Sequence, residues 1–364
     1  MFDHVYDKKK VFVTGHTGFK GSWLCSWLLK LGAEVCGYSF NTPTQPSHFE
    51  TLGLKNRILH VDGDIRDRDR LLKAMRQFRP EFVFHLAAQP IVRQSYNDPV
   101  TTFETNIMGT VNILETIRQC SSVQAGVIIT SDKCYRNVEW TWGYRENDVL
   151  GGEDPYSASK GCAELVIYSY IHSFFKDSPR VASARAGNVV GGGDWAEDRI
   201  VPDAVRSWSR HEPLILRNPH ARRPWQHVLE PLSGYLWLGA KLWKKNSQAI
   251  GQSFNFGPGN TVNQSVEQLV GQMALHWPDT VWKVDPTNET DQKESTLLKL
   301  CCDKALQQLD WRAILSFEET AAMTVRWYQA YYEPTKEPMT DLTDRQINDY
   351  TAKAGSEAMP WAMS

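Results

Sequence analysis

The feature that most constrains the fold is a short apolar run that breaks into a glycine-rich turn and then into a helix-like stretch. The run is Val11-Phe12-Val13, the turn is Thr14-Gly15-His16-Thr17-Gly18-Phe19-Lys20-Gly21, and the helix-like stretch begins at Ser22. Glycines allow the backbone to approach a pyrophosphate, whose charge is stabilised by the free N–H groups at a helix N-terminus. The pattern therefore predicts a strand, a turn and a helix that bind a dinucleotide, with a merely close-packed turn as the alternative.

Composition narrows the class of protein. The 364 residues suffice for one large or two modest domains, and a formal net charge of −2 offers no field to attract nucleic acid or an anionic membrane. No apolar stretch approaches the roughly 20 residues of a membrane span, and the N-terminus lacks a charged-then-apolar signal pattern. The seven cysteines include no C-x-x-C pair, and the ten histidines have no ligand spacing. We therefore expect a cytoplasmic protein with reduced thiols and no metal, bound neither to nucleic acid nor to a membrane.

Short apolar segments alternate with helical stretches over the first half of the chain. The predicted strands after the first are Glu34 to Ser39, Arg57 to Val61, Glu81 to Leu86, Gly126 to Ser131 and Arg180 to Ala186, and the long candidate helices are Val100 to Cys120 and Tyr156 to Phe175. This alternation predicts an α/β fold with a Rossmann-like doubly wound parallel sheet.

The pattern changes after Gly191, where connections rich in Gly, Pro, Arg and Trp predict a smaller, loop-rich C-terminal substrate domain. We predict a dinucleotide-binding domain over residues 1–190 and a discontinuous substrate domain over 191–340. A segment near 225–258, with a strand at Ser253 to Phe256, is predicted to return to the main sheet. The tail over 341–364 has one possible helix at Asp344 to Ala354, and both disorder and an intersubunit arm are compatible with it.

Tyr156 and Lys160 form a candidate catalytic pair. A tyrosine and a lysine four residues apart share one helix face, so the ammonium lowers the pKa of the phenol from about 10 toward the working pH. The spacing alone is uninformative, because Tyr6 and Lys10 share it. Tyr156 differs because it begins a predicted helix and follows a strand that ends in Thr130-Ser131-Asp132-Lys133. We predict that Tyr156 is a general base for a carbinol proton.

These features together resemble the short-chain dehydrogenase/reductase superfamily, whose G-x-x-G-x-x-G spacing is found here. The resemblance implies that Asp64-Ile65 contact the adenine and that Leu86-Ala87-Ala88-Gln89 pass along the pyrophosphate and the nicotinamide ribose. A surface acid and simple close packing are the alternatives for these two loops. Asn106 and Asn188 resemble features of the extended branch, which handles nucleotide-activated sugars, and are predicted to bind substrate.

Three motifs make the resemblance closer. They are the glycine turn through Trp23, the run Thr130-Ser131-Asp132-Lys133-Cys134-Tyr135, and Arg223-Pro224-Trp225-Gln226-His227-Val228-Leu229-Glu230-Pro231. Over the chain up to about Tyr332 they resemble the nucleotide-sugar 4,6-dehydratases, and among these the members that act on CDP-glucose. The resemblance implies NAD-mediated oxidation at C4, loss of water across C5 and C6, and reduction at C6 to CDP-4-keto-6-deoxyglucose. It also implies a role in deoxysugar synthesis for a surface polysaccharide, the O-antigen.

The same resemblance implies a role for each catalytic residue. Ser131 hydrogen-bonds the reacting oxygen, and Lys160 holds the charge of Tyr156. Asp132 is the acid for the departing 6-hydroxyl. Lys133 stands where related enzymes acting on dTDP-glucose have a glutamate base. A neutral Lys133 could accept the C5 proton, a charged Lys133 could stabilise the enolate, and a lysine directed into solvent is the third alternative.

Cations are expected to bind the pyrophosphate of the substrate, and we predict Arg223 first and Arg199 second. The run Gly191-Gly192-Gly193-Asp194-Trp195 is compatible with a flexible lip over the nucleotide or with packing. Two other functions remain open at this point, a nucleotide-sugar 4-epimerase and a non-catalytic NAD-sensing protein. Asp132 and Lys133 count against the epimerase.

The end of the second predicted strand, Tyr38-Ser39-Phe40-Asn41, offers neither an acid for a ribose 2′-hydroxyl nor an arginine for a 2′-phosphate. We therefore expect NAD rather than NADP, bound loosely, with His16 crowding the approach of the turn to the pyrophosphate. The two long predicted helices are expected to pair with those of a second copy, which gives a homodimer or homotetramer.

Overall fold

A computed structural model describes residues 1–175, 178–259, 262–284, 297–333 and 337–363. Its strands are, in chain order, β1 (Lys10–Thr14), β2 (Glu34–Ser39), β3 (Leu59–Asp62), β4 (Phe82–His85), β5 (Ala125–Ile129), β6 (Arg180–Arg185), β7 (Val189–Val190), β8 (Leu214–Leu216), β9 (Arg222–Arg223), β10 (Gln226–His227), β11 (Ser253–Asn255), β12 (Gln264–Ser265) and β13 (Trp282–Val284).

The α-helices of the described residues surround these strands. They are α1 (Phe19–Lys30), α2 (His48–Thr51), α3 (Arg68–Phe78), α4 (Val92–Asn97), α5 (Pro99–Phe103), α6 (Gly109–Gln119), α7 (Pro155–Phe174), α8 (Ile200–Trp208), α9 (Leu229–Trp243), α10 (Val266–Ala274), α11 (Asp303–Leu309), α12 (Phe317–Tyr332), α13 (Met339–Ser356) and α14 (Pro360–Met363).

Seven parallel strands form one sheet in the order β11-β6-β5-β4-β1-β2-β3. The chain runs from β1 outward to β3 and then crosses back to β4, so the topological switch point lies between β1 and β4. Ligands of doubly wound sheets bind beyond the carboxyl ends of the strands at this point. The predicted Rossmann-like α/β class is confirmed, and β11 joins the sheet where the sequence predicted a returning strand.

Helices cover both faces of the sheet. One face packs against α1 and α9 in the larger core, to which α12 and α13 add a further layer, and the other packs against α3, α6 and α7 in the smaller core. The remaining strands pair outside the main sheet, as β7 with β10, β8 with β13 and β9 with β12. The pairs of β8 with β13 and of β9 with β12 lie within the predicted substrate domain. In contrast, β7 lies at the end of the predicted dinucleotide-binding domain and β10 lies in the predicted returning segment, and the domain boundaries stay a prediction.

The predicted helix Val100 to Cys120 is interrupted. A π-helical segment, Glu104–Met108, separates α5 from α6. The side chain of Asn106 in this segment hydrogen-bonds to residues of two neighbouring elements, and a Cβ at Gly109 would lie 2.7 Å from the side chain of Ile65. These tertiary contacts favour the wider turn, which apolar periodicity does not reveal.

Disorder, one of the two alternatives left open for the tail, is wrong for residues 337–363, which the structure describes, and the possible helix at Asp344 to Ala354 is present. Helix α13 is longer than the predicted Asp344 to Ala354, and Leu342, Ile347 and Tyr350 on it are buried. Beyond it, Trp361 stacks on Phe2 with 5.1 Å between ring centroids. The C-terminal segment therefore completes the larger core.

In the described part of the chain, no helix combines the length and the apolar character that a membrane crossing requires. The seven cysteines are free thiols.

Candidate active site

The glycine turn connects β1 to α1 and leaves room for a ligand at one position. A Cβ at Gly15 would lie 2.7 Å from the backbone nitrogen of Ala87, and a Cβ at Gly21 would lie 2.1 Å from the carbonyl oxygen of Gly15, so packing requires glycine at both. At Gly18 the nearest atom would be 3.4 Å away. Gly18 is the N-cap of α1, so its missing side chain leaves space beside the helix N-terminus, where a pyrophosphate is favoured. The turn fits a dinucleotide.

The imidazole of His16 lies in the protein interior. Its Nε2 is 2.8 Å from Nδ1 of His60, its ring meets the edge of Phe49, and a Cβ at Gly37 of β2 would lie 2.3 Å from it. Burial, and next the proximity of His60, lower the pKa of His16 to about 3, so the ring is neutral. The ring is therefore directed away from the position of a pyrophosphate, and the prediction that it crowds the cofactor is corrected. If His16 affects the binding of NAD, it does so through the conformation of the turn's backbone.

The rest of the turn contacts neighbouring elements. Thr17 donates a hydrogen bond to the carbonyl oxygen of Asn41 at 2.8 Å, and its hydroxyl lies 2.7 Å from that of Ser39, which ties the turn to the end of β2. The ring of Phe19 lies next to Gly191 on the substrate side.

The loop after β3 contains the two residues predicted to contact adenine. The carboxylate of Asp64 forms an ion pair with Arg66 at 2.7 Å, and the side chain of Ile65 is buried. The carbonyl oxygen of Ile65 accepts a hydrogen bond from Asn112 at 3.0 Å. The Asp64 carboxylate is therefore already partnered, while the loop lies beyond β3 as predicted.

The loop after β4 runs beside the glycine turn. The backbone N–H of Leu86 donates to the carbonyl oxygen of Thr14, and that of Ala87 donates to the Thr14 hydroxyl. Ala88 follows and is half-buried. The amide of Gln89 donates to the Ile91 carbonyl at 3.1 Å, so this side chain shapes the loop.

Ser131 and Asp132 are buried at the carboxyl end of β5, in the turn that leads to Lys133. The hydroxyl of Ser131 donates to Oδ1 of Asp132 at 2.9 Å and accepts from the backbone N–H of Lys133. Asn188 donates to Oδ2 of Asp132 at 3.2 Å, and a Cβ at Gly187 would lie 2.0 Å from the carboxyl carbon. The carboxyl group is therefore held in one place, and the Lys133 side chain beside it is half-buried.

Tyr156 and Lys160 lie on the first turns of α7, and both side chains are buried. Burial raises the pKa of Tyr156 to about 12, although the nearby hydroxyl of Ser131 opposes this shift. Burial, and next the charge of Lys20, lower the pKa of Lys160 to about 8. The structure therefore brings Ser131, Asp132, Tyr156 and Lys160 into one group.

Lys20 adds a second cation to this group, which the sequence assigned only to cofactor binding. Its Nζ lies 6.0 Å from the centre of the Tyr235 ring. Burial and the charge of Arg199 lower its pKa to about 8, and Asp132 acts in the opposite direction. A lysine in the first turn of a helix is electrostatically unfavourable, because the helix N-terminus carries a partial positive charge. This unfavourable position is the feature of the sequence that indicates a functional role for Lys20.

Arg199 reaches the same group from the N-terminus of α8. It forms an ion pair with Asp194 at 2.7 Å, and Asp194, which sequence reasoning did not single out, is buried. The hydroxyl of Tyr328 donates to the Asp194 carbonyl oxygen at 2.5 Å. Asp194 therefore fixes the position of the arginine, and no local sequence signal indicated it.

The prediction that Asn106 binds substrate is wrong. Its side chain is 1% exposed; the amide donates to the Gln89 carbonyl and to the Ser159 hydroxyl, and its oxygen accepts from the Gln89 backbone. Asn106 thus joins the loop after β4 to α7.

Asn188 and Arg223 lie on neighbouring connections of the substrate side. Asn188 has a φ of +54° and touches Asp132, as described. Its carbonyl oxygen accepts from the backbone of Gln226 at the start of β10. Arg223 lies on β9, where its guanidinium donates to the carbonyl oxygen of Arg222 at 2.8 Å. A contact between Arg223 and substrate stays a prediction.

The run from Gly191 to Trp195 is packed. The carbonyl oxygen of Gly192 accepts from the indole of Trp23, a Cβ there would lie 2.0 Å from Trp327, and Trp195 is buried. Packing, rather than a flexible lip, is the correct alternative.

Among the side chains that the structure describes, no cluster of three or more His, Cys, Asp or Glu could hold a metal ion.

Comparison with known proteins agrees with this geometry. A solved dTDP-glucose 4,6-dehydratase from Streptomyces venezuelae, with NAD and TYD bound, has a TM-score of 0.73 at 24% identity, covering 89% of this chain and 99% of that chain. One from Bacillus anthracis, in complex with NAD, has a TM-score of 0.73 at 20% identity and covers 89% and 98%. These two structures share the fold.

Sequence relatives add the family. A CDP-glucose 4,6-dehydratase of Salmonella typhimurium is 48% identical over 94% of this chain and 96% of the relative. A GDP-mannose 4,6-dehydratase of Vibrio cholerae is 25% identical over 87% and 93%. The family model of GDP-mannose 4,6 dehydratase matches residues 12–324. These relatives agree with a site in which the buried Asp132 lies beside Ser131, Tyr156 and Lys160. The chain therefore belongs to the GDP-mannose 4,6-dehydratase family of nucleotide-sugar dehydratases.

Proposed function

We propose that this protein is an NAD-dependent hydro-lyase that converts CDP-glucose to CDP-4-keto-6-deoxyglucose. The observation that carries the proposal is the position of Asp132, which is held by Ser131 and Asn188 within the group that contains Tyr156 and Lys160. A simple alcohol oxidation needs only the serine, tyrosine and lysine. The additional fixed acid supplies what the loss of water requires.

The cofactor would be held by the glycine turn and by the loops after β3 and β4. Gly18 provides the space beside the N-terminus of α1, and Thr17 and Ala87 fix the backbone on either side. When bound, NAD would supply the hydride acceptor for the oxidation at C4, the hydride donor for the reduction at C6 and a positive charge that favours a nearby phenolate.

Removal of the 4-hydroxyl proton is the task of Tyr156. Its phenol is buried beside Ser131, and burial raises the pKa of Tyr156. Among the nearby charges, the guanidinium of Arg199 lowers this pKa, whereas the carboxylate of Asp132 raises it. Ser131 donates to the sugar oxygen once the proton has left.

Elimination across C5 and C6 is the task of Asp132 and Lys133. Asp132 is the acid that gives a proton to the departing 6-hydroxyl, which leaves as water. Lys133 either accepts the C5 proton as the base, or remains charged and stabilises the enolate while Asp132 or a water moves the protons. A proton returns to C5 when C6 is reduced. The variant Lys133→Ala separates these roles, because loss of a base slows exchange of the C5 proton with deuterium far more than it slows oxidation at C4. Equal effects on both steps would support positioning.

The phosphates of the substrate are bound by Arg199 and Arg223, and Asn188 orients Asp132 toward the sugar. Asn106 is not a substrate ligand in this proposal; its side chain holds Gln89 and α7 in position through hydrogen bonds. Selection of cytosine over other bases is part of the proposal and is supported by the Salmonella typhimurium relative.

The decisive experiment incubates the protein with NAD and, separately, CDP-, dTDP-, GDP- and UDP-glucose. We expect a 4-keto-6-deoxy product from CDP-glucose, identified by mass and NMR. Formation of a 4-epimer would replace the proposal with an epimerase, and NAD binding without turnover of any of the four would indicate a sensing protein.

We further propose that the chain assembles as a homodimer or homotetramer through α6 and α7. Large apolar side chains on or beside these helices are exposed, namely Met108, Leu165, Tyr168 and Phe174. Burial of such a surface favours association. A monomer in sedimentation at micromolar concentration would contradict this. We also propose that the protein lies in the cytoplasm and that its product is used to make a deoxysugar of the O-antigen.

A further inference from the structure

We propose that Glu164 and Arg185 form a buried clamp that positions the catalytic segment Ser131-Asp132-Lys133 against the helix carrying Tyr156 and Lys160. The inference rests on the proposed function, because it assigns positioning residues to that reaction. Neither residue touches the reacting atoms in this arrangement.

One end of the clamp holds the start of the segment. Glu164 lies four residues after Lys160 and eight after Tyr156, so the three share one face of α7. The hydroxyl of Thr130, which directly precedes Ser131, donates to Oε1 of Glu164. Ser183 of β6 donates to Oε2 at 2.9 Å. The catalytic helix is thereby joined to β5 and β6 just below the site.

The other end of the clamp holds Tyr135, two residues beyond the segment. Arg185 donates through Nη2 to Oε2 of Glu164 at 2.7 Å and through Nη1 to the hydroxyl of Tyr135 at 2.7 Å. Tyr135 in turn donates to Oδ1 of Asn255 on β11 at 2.7 Å. The segment from Ser131 to Lys133 is therefore tied to a single ion pair at both of its flanks, through Thr130 and Tyr135.

Stability alone gives little reason for such a pair. The Glu164 and Arg185 side chains are 1% and 3% exposed, and removing two charges from water is costly even when they meet in good geometry. What the pair supplies is a fixed position, because the planar guanidinium and the carboxylate accept only a narrow range of arrangements. The negative charge of Glu164 also raises the pKa of Lys160, in opposition to the effect of burial.

The two steps of the reaction depend on the clamp to different degrees. Ser131 also lies beside Tyr156 of α7, close enough for its hydroxyl to lower the pKa of the phenol. Asp132 and Lys133 are bound to their own segment and to Asn188, which is not on α7. A looser segment should therefore displace the elimination groups more than the oxidation groups, and displacements of about 1 Å reduce rates by up to about 100-fold.

The test uses Thr130→Val and Tyr135→Phe, which loosen one flank each and leave the ion pair intact. Tyr6→Phe and Thr324→Val are the matched controls, since both remove a buried hydroxyl hydrogen bond elsewhere in the molecule. We expect C5 proton exchange to slow about 10-fold in the first two variants, with oxidation at C4 slowed less than about threefold and KM unchanged.

Backbone hydrogen exchange provides a readout independent of activity. The amides of residues 133–135 bond within the segment's own turn, so they should exchange faster in Thr130→Val and Tyr135→Phe than in the controls. Unchanged exchange at residues 133–135, or equal slowing of both chemical steps, would overturn the clamp. If the wild-type protein does not dehydrate CDP-glucose, the proposed function fails while the exchange measurement still decides the clamp.

Discussion

The two sides of the site are built differently. On the catalytic side, Ser131, Asp132 and Tyr156 are buried, and the Asp132 carboxylate accepts hydrogen bonds from Ser131 and Asn188. On the substrate side, Arg199 is over a third exposed and pairs with Asp194, and Arg223 is half-buried on a two-residue strand. The groups that move protons are therefore preorganised, whereas the cations must exchange a protein partner for a phosphate. Substitutions on the catalytic side should therefore change mainly kcat, and substitutions on the substrate side should change mainly KM.

The sharpest test of this division is Tyr156→Phe. Loss of the general base should reduce kcat by about 10²- to 10⁴-fold with little change in KM. Steady-state kinetics with CDP-glucose check this. Tyr6→Phe is the control, since Tyr6 has the same spacing to a lysine but donates to the Leu236 carbonyl in the core. A Tyr156→Phe variant that retains turnover would place the base elsewhere.

Asp132→Asn should separate the two chemical steps. An amide cannot protonate the leaving hydroxyl, so oxidation at C4 proceeds while water loss slows by about 100-fold. Absorbance of reduced nicotinamide should accumulate with the keto sugar bound. Asp69→Asn, on an exposed carboxylate, is the control. Unchanged turnover would remove Asp132 from the mechanism.

Arg199→Lys tests the substrate side. A lysine keeps a charge beside Asp194 but cannot bond Asp194 and a phosphate with the same planar fork. We expect KM for CDP-glucose to rise about 10-fold with kcat nearly unchanged. An effect confined to kcat would show that Arg199 acts in the chemical steps, and it would contradict the division between a catalytic side and a substrate side.

The pH dependence gives a smaller effect. Lys160, with a pKa lowered to about 8, loses its charge as pH rises through that value, and activity should fall with it. The charge of Lys20 contributes to the lowering. In Lys20→Met the alkaline limb of the kcat profile should therefore move to higher pH. A shift to lower pH, or no shift, would show that the two lysines are not coupled.

The smallest expected change is in cofactor binding by His16→Gly. The sequence predicts loose binding and loss of NAD on purification, because no acid ends β2. Removal of the imidazole frees the backbone of the turn, and we expect NAD to bind a few-fold more tightly, measured by calorimetry. The melting temperature should fall, since the variant leaves a cavity beside Gly37. Unchanged or weaker affinity would exclude His16 as a cause.

Sequence reasoning predicted what depends on residues close along the chain. Local patterns predict the sheet, the glycine turn and the pair formed by Tyr156 and Lys160. Tyr6 has the same spacing to a lysine, but only Tyr156 begins a predicted helix after the strand that leads to Ser131. It missed what depends on distant partners. Asp194 is held by Tyr328, 134 residues away, and nothing near Asn106 indicates that its amide would bind Gln89 instead of a ligand. Long-range packing also orders the tail, which composition alone describes as polar.

The stacking of Phe2 on Trp361 joins two distant parts of the chain. Phe2 and Trp27 contact each other, and both contact Trp361, so without that ring they lose the aromatic side chain that covers them. The sheet can pair strand by strand during translation, yet this face of the core cannot close before Trp361 has been made. A fragment that lacks Trp361 would therefore expose an aromatic surface and be prone to aggregate.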